Sequence, residues 1–124
     1  MKMTLHVLPF DISICKTGVI DGIDLDSEFF FLGKTDEEIS LVCKTEDVPK
    51  ETIERDDGWR GFRIEGQLDF SLIGILSKIS SALADEGIGI FAVSTYNTDY
   101  ILVKEDDLKR ALKALKKAGY MITD

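Results

Sequence analysis

Residues 71–103 read SLIGILSKISSALADEGIGIFAVSTYNTDYILV and contain one helical pattern followed by two strand patterns. Apolar residues recur at helical spacing over 71–86, which predicts an amphipathic helix that ends at Gly87. The apolar stripe of this helix consists of Leu72, Ile75, Leu76, Ile79 and Leu83. The runs 88–94 and 100–103 are short and rich in β-branched residues, so they predict a β-hairpin.

The segments on either side of this stretch extend the pattern in both directions. Residues 105–118 again show helical spacing, with acidic residues at the start and lysines near the end, as the helix dipole favours. Short strand patterns lie at 59–65 and 120–123. The predicted order is β-α-β-β-α-β, which is the ferredoxin-like arrangement of an antiparallel sheet with both helices on one face. The fold class is therefore α+β.

The first half of the chain has strand patterns without a complete amphipathic helix. Candidate strands lie at 5–7, 11–16, 29–32 and 41–43. The segment 45–58 is polar, contains Pro49 and forms the expected boundary between two halves. We therefore predict an N-terminal domain over 1–57 and a C-terminal domain over 58–124.

The charge balance narrows the class of partner. The chain of 124 residues has a formal net charge of -8, and residues 1–57 hold 6 basic and 14 acidic side chains. Such an excess of acid repels nucleic acid and anionic membranes. No apolar run resembles a signal peptide or approaches the ~20 residues that span a bilayer. Cys15 and Cys43 lie in strand patterns and are expected to be buried thiols, so we expect a cytoplasmic protein.

Three consecutive segments of the second half carry a family resemblance. GWRGFRIEGQLDF (58–70), SLIGILSKISSALADEGIGI (71–90) and FAVSTYNTDYILV (91–103) resemble the ACT domain, the small-molecule-sensing module of amino-acid metabolism. The likeness is to small tandem-ACT proteins related to the ACT repeats of aspartate kinases and arginine sensors. The first half resembles the same module only loosely, through SLVCKTEDVP (40–49), and is interpreted as a degenerate ACT-like half-domain. The resemblance implies a non-catalytic regulatory protein, a homodimer, that senses an amino acid at an interface between ACT modules.

The resemblance also implies a set of ligand-binding residues. These are Asp69, Leu72, Ile73 and Gly74 at the helix start, and Thr95, Tyr96 and Asp99 in the hairpin. Leu72 stands where a glutamate meets the cationic side chain of arginine in the family's arginine sensor, which implies an apolar or smaller amino acid here.

Physical chemistry supports the same site. A zwitterion needs hydrogen-bond donors for its carboxylate, which the first helical amides at 72–74 are predicted to supply, and an acid for its ammonium group, which Asp99 offers. The alternatives remain open: Gly74 as a packing position between helix and sheet, and the hairpin side chains as partners of turn amides.

Other chemistries find less support in the sequence. His6 is the sole histidine and has no serine or cysteine at a spacing typical of a catalytic triad, so an enzyme is not predicted. Asp21, Asp24, Asp26 and Glu28 alternate like calcium ligands but lack the EF-hand glycine and flanking helices. We therefore expect no metal and no cofactor. The alternative function is a protein–protein interaction module with a vestigial pocket.

Overall fold

The computed structural model describes residues 3–65 and 74–124. Contacts divide the chain into two compact units, which are described separately. The N-terminal unit is Phe10–Trp59, and the C-terminal unit is Met1–Pro9 together with Arg60–Asp124. The grouping of Met1–Pro9 with the second unit differs from the predicted division at 57 and 58, which stays a prediction.

The C-terminal unit has the predicted β-α-β-β-α-β order, preceded by one further strand. Its elements are β1 (Thr4–Val7), the end of β5 (Glu54–Ile64), α1 (Ile75–Asp85), β6 (Phe91–Ser94), β7 (Asp99–Lys104), α2 (Leu108–Lys117) and β8 (Met121–Thr123). Neighbouring strands pair in the order β8-β1-β5-β7-β6. β1 is antiparallel to β5 and parallel to β8, so it separates two strands that would be neighbours in a four-stranded ferredoxin-like sheet.

One face of this sheet forms the main hydrophobic core. Period-two alternation directs one side of each strand toward the helices, and the helical stripes face back. The buried members include Leu5, Phe62, Ile64, Ile101 and Val103 from strands, and Ile79, Leu83, Ala111 and Leu115 from the helices. The prediction of an α+β fold with both helices on one face is confirmed.

The N-terminal unit keeps the strands of the same arrangement without its helices. β2 (Ile12–Thr17), β3 (Phe30–Lys34), β4 (Ile39–Lys44) and the beginning of β5 pair antiparallel in the order β3-β4-β2-β5. Between residues 3 and 65 the structure contains no α-helix, only a 3-10 helix at Thr45–Asp47. A small cluster of Cys15, Ile23, Leu41 and Cys43 forms the interior under the loops.

The polar segment 45–58 contains the 3-10 helix and the first residues of β5, and its role as the boundary between two halves stays a prediction. One helix boundary is wrong. The first long helix begins at Ile75 rather than at Ser71, since Gly74 has φ 85° and ψ 10° and cannot belong to a right-handed helix. Ser71 itself lies outside the described residues.

The two units contain a structural repeat with an offset of sixty residues. β3, β4 and the 3-10 helix Thr45–Asp47 correspond to β6, β7 and a second 3-10 helix, Glu105–Asp107. β4 and β7 have the same length and the same pattern of burial along the strand. Thr35 and Thr95 occupy the same position in the two turns, and each donates its backbone N–H to the carbonyl three residues later.

Candidate functional site

The predicted ligand-binding residues fall into two groups by what the structure describes. Asp69, Leu72 and Ile73 lie outside the described residues, so their part in a site stays a prediction. Gly74, Thr95, Tyr96 and Asp99 are described, and all belong to the C-terminal unit.

Gly74 precedes α1 and determines where its unpaired amides lie. Its carbonyl accepts the N–H of Lys78 at 2.9 Å, the first bond of the helix. The four amides that lack an intrahelical partner are therefore those of residues 74–77. The predicted donors at residues 72–74 stay a prediction. No side chain caps this helix start among the described residues. Unpaired amides at a helix start can bind an anion such as a carboxylate.

The packing explanation of Gly74 is not supported. Among the described residues, a Cβ placed on Gly74 would meet nothing within 4 Å. The glycine is instead explained by its φ of 85°, because side chains rarely tolerate the left-handed region.

The turn between β6 and β7 is held by threonine. The backbone N–H of Thr95 donates to the carbonyl of Thr98 at 2.8 Å, and the backbone N–H of Thr98 donates to Thr95 Oγ1 at 3.2 Å. Thr95 Oγ1 also donates to the Thr98 carbonyl at 3.1 Å. The Thr95 side chain is therefore a partner of turn groups, as the structural alternative for this hairpin predicts.

Tyr96 and Asp99 differ in their surroundings. The Tyr96 side chain is fully exposed at the tip of the turn and contributes to no enclosed surface in the described part of the unit. Asp99 is partly buried, and its Oδ1 accepts a short hydrogen bond from Ser94 Oγ. A carboxylate has capacity for further donors beyond this bond. Of the two, Asp99 is the better candidate for contact with an ammonium group.

Thr98 connects the turn to the end of β5, and the sequence did not indicate it. Its Oγ1 donates to the carbonyl of Ile64 at 2.7 Å. The turn consequently lies beside the point where β5 ends and the chain leads toward α1. Three of the predicted residues lie in the connection 66–73 that follows. The partner is 34 positions away, so no local pattern could have identified this bond.

Further charged and polar groups lie near the end of β5. Arg63 contacts Glu65 at 3.2 Å, and the Glu65 N–H donates to the Thr4 carbonyl at 2.8 Å. His6 Nδ1 lies 3.1 Å from Thr123 Oγ1 and 3.9 Å from Glu65 Oε1. The two carboxylates Glu65 and Asp99 and the guanidinium of Arg63 thus belong to the same unit as the helix start.

Neither the acidic loop nor the cysteines resemble a catalytic or metal centre. Asp24 accepts the N–H of Asp26 at 3.0 Å, and Glu28 pairs with Lys44 at 2.7 Å. In the described ranges 3–65 and 74–124, no three metal-ligating side chains are grouped closely enough to hold an ion. Cys15 and Cys43 are buried thiols, as predicted, and burial raises the pKa of Cys43 to about 12.

The C-terminal unit is a ferredoxin-like module, with an antiparallel sheet core and both helices on one face. Residues 54–117 match the ACT domain family model, and the chain belongs to the ACT domain family. Within the part of the chain that the structure describes, no helix is long and apolar enough to cross a membrane.

Relatives extend this similarity over most of the chain. The rat cytosolic arginine sensor for mTORC1 subunit 1 is 30% identical over 121 residues, covering 91% of this chain but 37% of the sensor. The chain thus spans little more than a third of that relative. A crystal structure of a protein from Agrobacterium tumefaciens is 30% identical, with a TM-score of 0.87 over 98% of this chain and 92% of that one.

Aspartate kinase structures share the fold. The regulatory subunit of aspartate kinase from Thermus thermophilus, in its ligand-free form, has a TM-score of 0.62 at 15% identity, covering 92% of this chain and 95% of that one. The predicted resemblance to ACT domains of arginine sensors and aspartate kinases is confirmed.

Proposed function

We propose that this protein is a non-catalytic regulatory protein of the cytoplasm that binds an amino acid, with a second ACT module in a homodimer completing the site. The observation that carries this proposal is the proximity of the polar β6–β7 turn to the end of β5, in a unit that matches the ACT family. The relatives support it, because one is named as a cytosolic arginine sensor and another as a regulatory subunit.

Each described residue has a chemical role in this proposal. The first amides of α1, from Ile75 onward, donate to the α-carboxylate of the ligand, where the positive end of the helix dipole favours an anion. Asp99 accepts the α-ammonium group. Thr95 and Thr98 act as positioning residues, because their hydrogen bonds hold the turn and attach it to Ile64. Regulation follows if the ligand binds two packing states of the modules with different affinity.

The side chain of the ligand is proposed to be apolar or small. The resemblance places Leu72 at the position that holds a glutamate in the arginine sensor, and leucine offers no charge to a guanidinium. Asp69, Leu72 and Ile73 are proposed to line the site together with Gly74. Tyr96, which is fully exposed in the described unit, contributes only if the second module covers it.

The first experiment is thermal denaturation in the presence of each of the twenty amino acids. A ligand that binds only the folded protein raises the melting temperature as its concentration exceeds Kd. We expect apolar or small amino acids to give the largest shift and arginine to give less. If none of the twenty shifts the transition at millimolar concentration, the proposal is wrong.

The second experiment assigns the site with a matched pair of variants. Asp99→Asn keeps the shape of the side chain and removes its charge, and a hydrogen bond to a charged group contributes about 1.5–3 kcal/mol. We expect affinity measured by calorimetry to fall about tenfold or more. Asp106→Asn alters an exposed acid of the same unit and should leave affinity unchanged. Equal affinity of Asp99→Asn and the unaltered protein would remove Asp99 from the site.

A further inference from the structure

The N-terminal unit contains a surface pocket that the proposed amino-acid site does not use. It has a volume of about 400 Å³ and is lined by Thr17, Val19, Gly22, Pro49, Lys50 and Glu51. The pocket lies between the loop that follows β2 and the segment that follows the first 3-10 helix. Both segments stand where a ferredoxin-like module has its helices.

Large apolar side chains are exposed in the same two segments. Val19 is 60% exposed, Leu25 66% and Ile53 61%. Ile53 lies beside the loop, because a Cβ built on Gly18 would be 3.7 Å from Ile53 Cδ1. Val19 lines the pocket, and Thr17 Oγ1 donates to its carbonyl at 3.0 Å, which fixes the start of the loop. Clustered exposed apolar groups around a pocket are typical of a surface that another molecule covers.

The structural repeat indicates the shape of that molecule. In the C-terminal unit, the second 3-10 helix continues at once into α2, since Leu108 has φ -58° and ψ -49°. In the N-terminal unit, the first 3-10 helix is followed by Val48 at φ -60° and ψ 129°, because a residue before proline avoids the helical region. The pocket residues 49–51 correspond to 109–111 in the first turn of α2. The pocket therefore lies where the repeat places a helix.

The charge of the unit indicates the chemistry of that helix. Residues 10–59 hold 5 basic and 14 acidic side chains, whereas the remainder of the chain is nearly balanced. Acids alternate with apolar residues along the loop, at Asp21, Asp24 and Asp26, and Glu51 lines the pocket. A second copy of this surface would bring like charges together, which disfavours self-association through it. Lysine and arginine side chains of a partner would complement this acidic surface.

We propose that the Phe10–Trp59 unit docks an amphipathic helix of another protein, whose apolar face covers Val19 and Ile53 at the pocket and whose flanking lysines or arginines meet the acidic loop. Binding of this kind resembles helix-in-groove recognition, in which apolar residues at helical spacing anchor the helix. The proposal does not depend on amino-acid binding, and its test contains no free amino acid.

The probe is a synthetic helix of about fifteen residues, long enough to be helical on binding, made only of leucine at helical spacing and lysine. Fluorescence anisotropy of the labelled peptide measures affinity for the full chain. We expect Val19→Ser and Ile53→Ser each to weaken binding by about tenfold, as loss of an apolar contact implies. Met121→Ser changes an exposed apolar residue of the C-terminal unit and should bind like the unaltered protein.

Two further peptides separate the apolar contribution from the charge. A peptide of the same composition with scrambled leucine positions, and one with glutamate in place of lysine, are both expected to bind at least tenfold more weakly. Equal binding of the scrambled peptide, or unchanged binding by Ile53→Ser, would overturn the proposal. It would also be overturned if Ile53→Ser abolished a dimer in sedimentation, because the surface would then belong to a second copy. Trp59 fluorescence confirms that the N-terminal unit of each variant is folded, and circular dichroism of the helices confirms it for the C-terminal unit.

Discussion

The hairpins β3–β4 and β6–β7 have the same geometry and different surroundings. Each has a threonine-held turn, a second strand of six residues with the same burial pattern, and a 3-10 helix directly after it. In the C-terminal unit two α-helices cover the strands, whereas in the N-terminal unit loops do. The hairpin therefore forms whether helices or loops pack against it, because its own turn and its alternation of buried and exposed residues determine its register.

The interiors of the two units, one packed under helices and the other under loops, differ in composition. The C-terminal core is apolar, with helix residues such as Leu83 and Leu115 completely buried. The N-terminal interior combines Leu41 with two thiols, and Ser13 is completely buried beside it. Buried polar groups remain only when they are hydrogen-bonded, and Ser13 contacts Thr45 and Asp57. The C-terminal unit should consequently be most sensitive to loss of apolar side chains, and the N-terminal unit also to loss of buried hydrogen bonds.

The largest expected effect comes from one repeat-related pair of core residues. Ile101→Ala removes a completely buried side chain from the helix-covered core and should lower the free energy of unfolding by about 2–5 kcal/mol. Leu41→Ala is the change at the corresponding position of β4, and it should cost less because the surrounding loops can collapse into the space. Urea denaturation measures both, followed by circular dichroism of the helices for Ile101→Ala and by Trp59 fluorescence for Leu41→Ala. If Leu41→Ala lowers the free energy of unfolding by as much as Ile101→Ala or more, the loops do not collapse into the space, and packing against loops is as rigid as packing against helices.

The positions of the strands and helices could be predicted from local sequence. The contacts of the loops that pack on the N-terminal strands could not. Helical spacing and strand alternation located both helices and the hairpin, because each pattern reflects contact with one core. Segment 45–58 is predicted from its polar composition to be the boundary between two halves, and that stays a prediction. Its polar residues include Asp57, which belongs to β5 and receives a hydrogen bond from Ser13, 44 positions earlier. Composition does not reveal a partner so distant in sequence.

For the candidate site as well, local features could be predicted from the sequence and non-local contacts could not. The resemblance identified the polar turn and the helix start, and the local Thr95–Thr98 bonds follow from known turn chemistry. The bond from Thr98 to Ile64 was missed, since it depends on the pairing of β5 with β7. The left-handed conformation of Gly74 was also missed, because a glycine within a helical pattern does not by itself indicate a helix start.

A second prediction concerns Gly74, which has no counterpart in the helix-free N-terminal unit. Gly74→Ala forces a Cβ into the left-handed region at φ 85° and should cost about 1–2 kcal/mol. Gly89→Ala is the matched control, because its Cβ would also meet open space and its φ is not left-handed. That control should be neutral or slightly stabilising. Thermal denaturation of the two variants gives the contrast, and equal melting temperatures would contradict the strain assigned to Gly74.

A third prediction tests whether the two turns are equivalent. Thr98→Val removes the bond to the Ile64 carbonyl and should lower the free energy of unfolding by about 0.5–1.5 kcal/mol. Glu38→Val places valine at the corresponding position of the first turn, where the exposed side chain makes no hydrogen bond among the described residues. Chemical denaturation should therefore show a lower free energy of unfolding only for Thr98→Val. Similar losses would mean that a general property of the turn, rather than the attachment to β5, is responsible.

The smallest expected effect is a dependence on pH that belongs to the N-terminal unit. The Arg55 guanidinium at 2.8 Å, and then the Ser13 hydroxyl at 2.6 Å, hold the pKa of Asp57 below its usual value. Because the folded pKa is the lower one, the carboxylate contributes stability above about pH 4 that is lost as the pH falls through the folded value.

The Asp57 contribution can be isolated by a pair of variants in the same unit. Asp57→Asn cannot titrate, so its urea midpoint should fall less steeply between about pH 5 and pH 2 than that of the unaltered protein. Asp36→Asn, in the exposed turn after β3, should keep the steep fall. Trp59 is the sole tryptophan and lies in the N-terminal unit, so its fluorescence follows that unit, whereas both α-helices report the other in circular dichroism. If the flattening appears in the helical signal and not in the fluorescence, the pH response does not belong to the polar interior of the helix-free unit.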